Sequence, residues 1–149
     1  MVSYLLDTHA WIQRALGLDV PPLVDDILNQ YENTLAISDI SIWEAAKLIE
    51  LGRLKLEVSL ANFFHLAITP SLKVIPVTPD IAIELVGLES TGFHKDPADQ
   101  LIVATALAHK LHLISADSRI RRWGQVPMAW RTYHHPEEAS KHSVPRGKP

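Results

Sequence analysis

Short apolar runs alternate along the chain with longer stretches of helical spacing, and this alternation sets the fold. SYLLD at 3–7 is too short for a helix and ends in an acid, whereas HAWIQRALGL after it places apolar residues three and four apart. The pair reads as strand, then helix. Pro21 and Pro22 open a second amphipathic stretch, LVDDILNQYE, which leads into the strand-like TLAIS at 34–38. Ser41 begins SIWEAAKLIELG, where the S-x-x-E spacing predicts a capping box with Glu44 and Gly52 a helix stop. RLKLEVS at 53–59 alternates and predicts a short extended piece; LANFFHLAI at 60–68 predicts a helix. LKVIPVT at 72–78 reads as a strand, PDIAIELVGL as a helix with proline at its start, and STGFHK as a loop. From Pro97 to about Leu111 the chain is apolar nearly all round, which predicts a buried helix whose Ala104, Ala106 and Ala108 permit close packing. HLISAD at 112–117 is the next strand, SRIRRWG a short helical turn, and MAW at 128–130 a last edge strand.

Strands alternating with helices imply an α/β fold: a mostly parallel central sheet of 4–5 strands flanked by helices in three layers. The periodic pattern fills residues 1–130 as a single domain. Residues 131–149 are polar, with histidine pairs and prolines, and are expected to form a mobile tail. In such a sheet the C-terminal ends of the strands and the N-terminal turns of the connecting helices share one edge, where ligands bind.

That rule sorts the acids. Asp7 ends the first strand and Glu44 lies in the first turn of the helix after the second. Asp96 and Asp99, in DPADQ at 96–100, open the buried helix, and Asp117 ends the strand that follows it. Five acids from four segments thus meet one edge; Asp39 and Asp80 satisfy the rule too, while Glu50, Glu84 and Glu89 fall outside it and read as solvated surface. Each has an alternative as a helix cap or a first-turn acid, worth about 0.3 to 1 kcal/mol through the helix dipole. Two carboxylates ~4 Å apart repel by about 4 kcal/mol at an effective dielectric near 20, more than several caps return. A cluster of four or five calls for a cation, and oxygen-only ligands suit Mg²⁺ or Mn²⁺ better than zinc.

Composition narrows the classes further. The 149-residue chain is 47% hydrophobic and 21% charged, with no apolar run near the roughly 20 residues of a membrane span. It has no cysteine, and MVSYLLDTHAW lacks the features of a secretory signal, so a cytoplasmic protein is expected. The formal charge of -3 argues against a generic basic nucleic-acid binder but not against one that engages phosphates through a metal ion. Eight histidines raise the question of a histidine site, yet His94, His109 and His112 have no recognised ligand spacing and read as surface or packing residues.

LLDTH at the start, SIWE at 41–44, HKDPADQLIVATA at 94–106 and LISAD at 113–117 resemble the successive motifs of a PIN-domain nuclease, closest to the VapC-type toxins of bacterial toxin–antitoxin pairs. The resemblance spans about residues 3–130. It implies that Asp7, Glu44, Asp99 and Asp117 form a metal-binding catalytic quartet with Asp96 as an extra acid. Thr8 and Ser115 stand where hydroxyls support such a site. It also implies a small metal-dependent endoribonuclease cutting single-stranded or loop RNA to leave a 5′-phosphate and a free 3′-hydroxyl. A cognate antitoxin laid over the acids and a homodimer follow from the same resemblance. The subgroup often has arginine where this chain has Gln100. Lys47, Arg53, Lys95, Arg119, Arg121 and Arg122 are candidates for holding the RNA backbone, Lys47 and Arg119 foremost; Trp11, Ile12 and Trp43 are candidates for an interface, with core packing the more common fate of tryptophan at helical spacing. Two competing readings are a catalytically silent binding module and a phosphohydrolase acting on small phosphoesters. The complete quartet weighs against the first. Against the second weighs His9, which stands where aspartyl-phosphate enzymes usually carry a second acid.

Overall fold

The computed structural model describes residues 1–130; the expected mobile tail, 131–149, lies outside the described residues. Four strands, β1 (Tyr4–Leu6), β2 (Leu35–Ser38), β3 (Lys73–Ile75) and β4 (His112–Ile114), form one sheet. Every pairing is parallel and the order is β3-β2-β1-β4, with Leu6 opposite both Ile37 and Ile114. The helices are α1 (Thr8–Ala15), α2 (Pro22–Gln30), α3 (Ile40–Glu50), α4 (Leu60–Ala67), α5 (Pro79–Val86), α6 (Pro97–His109) and α7 (Ser118–Trp123).

Because side chains alternate along a strand, the sheet faces two cores. Leu5, Ala36, Ile75 and Leu113 pack with Ile81 of α5, Ile102 and Val103 of α6 and Ile120 of α7. Leu6, Leu35, Ile37 and Ile114 face the other way, onto Trp11 of α1, Val24 of α2, Ala45 of α3 and Phe63 of α4. The three layers are therefore α1–α4, the sheet, and α5–α7. Ala104 and Ala106 of α6 are buried, as the small-residue pattern of that helix anticipates.

Several expectations need correction. Ser41 and Glu44 form no capping box: α3 starts at Ile40, which leaves Ser41 inside the helix, where its hydroxyl accepts from Thr8 at 2.9 Å. RLKLEVS makes bends rather than a strand, and from there it packs the partly buried Leu54 and Leu56 against the core. β3 stops at Ile75 because Pro76 has no amide hydrogen for the ladder. The segment at 128–130 makes a single bridge, Met128 to Leu113, held by Leu113 N to Pro127 O at 2.7 Å and Ala129 N to Leu113 O at 2.9 Å. Trp11 and Ile12 are core residues, 1% and 4% exposed, and so are not interface candidates; Trp43 stays 55% exposed.

Candidate acidic metal centre

β1 and β2 run outward to β3 on one side while β4 lies on the other side of β1, so the direction of winding reverses between β1 and β4. A crevice forms at such a switch point, past the C-terminal strand ends. Asp7 follows β1 and Asp117 follows β4 by three residues. Both cap helices rather than end strands. Asp7 is the N-cap of α1 and accepts from Ala10 N at 2.8 Å; Asp117 is the N-cap of α7 and accepts from Arg119 N at 2.7 Å. Asp96 caps α6 in the same way, accepting from Asp99 N at 2.9 Å.

A cleft of about 170 Å³ is lined by Asp7, Thr8, His9, Glu44, Leu48, Arg53, Asp96, Asp99, Asp117 and Arg119. All five predicted acids and Thr8 therefore share one crevice. Glu44, Asp96 and Asp99 bring carboxylate oxygens within 4.8 Å of one another, and Asp99 also meets His94 and Asp117 within that distance. Asp99 is the common member. Asp39, which the edge rule admitted, turns instead to Val77 N at 3.2 Å, and Asp80 lies outside the cleft. Ser115, fully buried, donates its hydroxyl to Asp7 Oδ2 and accepts from Asp117 N at 3.1 Å, tying the two acids together. It lies behind Asp7 rather than on the cleft wall.

The electrostatics match this crowding. Asp7, 7% exposed, is pushed above the ordinary carboxylate range by burial, which outweighs its bonds from Ser115 and Ala10. Glu44 and Asp99 are pushed up by burial too, with the neighbouring acids adding repulsion; Thr8 beside Glu44 and His94 beside Asp99 offset part of it. Asp117 goes the other way: burial raises it, but the Arg119 hydrogen bonds prevail and hold it low. The Arg119 guanidinium bridges Asp99 at 3.1 Å and Asp117 at 3.0 Å from a half-exposed position.

Arg53 and Arg119 line the cleft, while Lys47 pairs with Glu50 at 2.6 Å on the exposed side of α3. Lys95, Arg121 and Arg122 do not reach the cleft wall. One residue that the sequence reading set aside belongs here. His94 packs against Phe93, as a packing histidine would, and does more: its Nε2 lies 2.6 Å from Asp99 Oδ2. Its signal was proximity to DPADQ, two residues ahead, rather than spacing to other histidines. Glu89 likewise is more than solvated surface, since it accepts from Gln100 at 3.1 Å.

Five acids, three of them helix caps, gather at the switch point of a parallel sheet, and the PIN domain family model matches residues 4–125. The chain belongs to the PIN domain family. Among curated proteins it is 34% identical over 124 residues to Ribonuclease VapC22 of Mycobacterium tuberculosis, covering 81% of this chain and 92% of that one. Its fold matches a DNA-bound VapBC structure from Salmonella typhimurium with a TM-score of 0.65 at 20% identity, covering 86% of this chain and 97% of that one. It also matches FitAcB from Neisseria gonorrhoeae with a TM-score of 0.63 at 23% identity, covering 85% and 98%. Among the described residues no helix is long and apolar enough to cross a membrane.

Proposed function

We propose that this protein is a metal-dependent endoribonuclease and the toxin of a toxin–antitoxin pair, acting in the cytoplasm on single-stranded or loop RNA. The observation that carries the reading is the convergence of Asp7, Glu44, Asp96, Asp99 and Asp117 on one cleft, in a chain of this family and 34% identical to a named ribonuclease. The donor set is oxygen from carboxylates, crowded enough to repel, which fits a hard divalent cation, Mg²⁺ or Mn²⁺. Asp7, Asp99 and Asp117 would hold it, with Glu44 and Asp96 at the rim. When bound, such an ion supplies charge neutralisation at the scissile phosphate and a lower pKa for water.

The chain's own residues do the rest. Glu44 accepts a proton from the attacking water; burial and the neighbouring acids raise its affinity for that proton, as a general base requires. Arg119, half exposed on the bank of the cleft, releases its carboxylates to hold a phosphate oxygen, and Arg53 offers a second cation along the strand path. Ser115 keeps Asp7 in register with the N-terminus of α7, and Thr8 joins α1 to α3 through Ser41 beside Glu44. Lys47, engaged with Glu50 away from the cleft, serves at most an outer phosphate. An antitoxin would cover the acids and place a cation among them, and a second copy of the chain would use exposed apolar side chains such as Trp43 of α3. Residues 1–130 would act as the nuclease domain.

The test is cleavage of structured RNAs by purified protein with and without Mg²⁺, comparing wild type with Asp7→Asn and Asp99→Asn. Cleavage that needs the ion and is lost in both variants is expected. Metal-independent cleavage, or full activity in both variants, overturns the reading.

A further inference from the structure

The loop before α6 is tied down by an arrangement with no part in the acid quartet. Gln100, 8% exposed, donates its Nε2 both to Glu89 Oε1 and to the His94 carbonyl, each at 3.1 Å. Phe93 is buried and stacks on the His94 ring, with centroids 4.3 Å apart and planes 24° apart. The Trp123 ring meets Phe93 edge-on at 4.9 Å and 81°, and its Nε1 donates to Thr91 Oγ1 at 3.0 Å. Three elements thus clamp one imidazole: the loop itself, α6 through Gln100, and α7 through Trp123. The clamped ring sits with only 19% of its side chain exposed and its Nε2 2.6 Å from Asp99 Oδ2.

We propose that His94 is a positioning residue for the metal centre: its Nε2–H, fixed by the Gln100–Phe93–Trp123 clamp, holds Oδ2 of Asp99 so that the carboxylate keeps one orientation in the cleft. A carboxylate on a short side chain rotates freely unless one oxygen is pinned, and an ion needs its donors aimed before it arrives. The bonds from His94 and Arg119 both fall on Oδ2, and Oδ1 takes neither. Of the two, Arg119 is half exposed and can leave, whereas His94 is stacked and cannot. The same clamp gives Gln100 a task at a position where a cation is common in the subgroup: its neutral amide reaches a carbonyl and a carboxylate at once and bears on the acids only through His94.

This role rests on the metal reading above, and the experiment separates the two. Mn²⁺ affinity is measured by calorimetry for wild type, Asp99→Asn, His94→Ala, His94→Gln and Gln100→Ala, with melting temperature and circular dichroism establishing that each variant folds. Loss of a partner that orients a metal ligand weakens binding about 10- to 100-fold. His94→Ala should therefore fall by that factor. Gln keeps an N–H at similar reach, so His94→Gln should recover most of the loss, and Gln100→Ala should weaken binding several-fold through the loosened loop. Long-range ¹H–¹⁵N spectra of the imidazole should show the Nε2-protonated tautomer before and after addition of Mg²⁺. His94→Ala binding Mn²⁺ as well as wild type would overturn the role. So would an equal loss in folded His94→Ala and His94→Gln, or loss of the Nε2 proton on adding Mg²⁺, since these mark the ring as a direct ligand. Wild type that binds no Mn²⁺ removes the metal reading itself and this role with it.

Discussion

Replacing Asp99 by Asn should make the ion-free protein more stable while abolishing its response to metal. Asp99 shares a 4.8 Å neighbourhood with Glu44 and Asp96. Two unit charges at that distance repel by about 0.9 kcal/mol at the dielectric of water and about 3.5 kcal/mol at an effective dielectric near 20. Removing the Asp99 charge therefore relieves two such repulsions, together about 2 to 7 kcal/mol, with the lower end favoured because Asp96 is exposed. Against this stand the bond to half-exposed Arg119, worth about 0 to 1 kcal/mol, and the weakening of the charge-assisted bond with His94, about 1 kcal/mol. With the repulsion at its lower end the net is a gain of up to about 1 kcal/mol, a rise in melting temperature of up to roughly 3 to 5 °C for a domain of this size. Wild type in an ion concentration ~100-fold above its dissociation constant should gain about 2.7 kcal/mol, or roughly 10 °C, and the variant almost none of it. Thermal unfolding with a chelator and with Mn²⁺ reads both quantities. A variant that melts at or below wild type in chelator, or that keeps the full ion-induced rise, refutes the claim that repulsion at Asp99 is what a cation relieves.

The pH dependence of ion-free stability follows from the same crowding. Because Asp7, Glu44 and Asp99 bind protons more readily folded than unfolded, stability falls as pH rises through their raised values. It should therefore increase from neutral pH down toward the ordinary values of 3.8 and 4.5. Asp117, held low, works in the opposite sense only below 3.8; denaturant midpoints that stay flat or fall between neutrality and 4.5 would contradict this. Ser115→Ala removes the donor to buried Asp7 and should cost about 1 to 3 kcal/mol, read by denaturant unfolding, and weaken Mn²⁺ binding as well. Arg119→Ala should pull two measurements apart, tightening Mn²⁺ binding through loss of a competing cation while raising KM for RNA; movement of both in one direction would refute a dual role.

Much of this was legible because parallel-sheet geometry converts order along the chain into position. An acid after a strand or near a helix start arrives at one edge, so element order brought Asp7, Glu44, Asp96, Asp99 and Asp117 into view together with Asp39 and Asp80, which lie outside the cleft. Burial was less legible. Helical spacing favours a core stripe for Trp11 and Ile12 without excluding an exposed one, and the packing of α4 over α1 decides it. The capping box failed because S-x-x-E needs Ser41 at the helix boundary, and the backbone enters α3 two residues earlier, at Asp39. His94 escaped because its partner is a first-turn carboxylate five residues on, reached through a loop whose path depends on Gln100 and Trp123. A loop held by side-chain contacts leaves no periodic trace.

Capping and metal binding were first set against each other as rival readings of the acids, and the structure makes them one mechanism. Asp7, Asp96 and Asp117 each spend one carboxylate oxygen on a backbone amide of α1, α6 or α7. Such a bond fixes the side-chain torsion. Asp99 sits in the first turn of α6 and Glu44 in the second turn of α3, neither with a capping role, and both rise in pKa under burial and the neighbouring acids, as Asp7 does under burial. The acids therefore differ in what holds them: Asp7, Asp96 and Asp117 by helix termini, and Asp99 by the side chains of His94 and Arg119. On this division the capped acids should tolerate loss of metal with little change in orientation, while Asp99 depends on its side-chain partners. Substituting His94 would then disturb the metal centre more than its distance from the phosphate suggests, because it takes the place of a helix cap for an acid that has none.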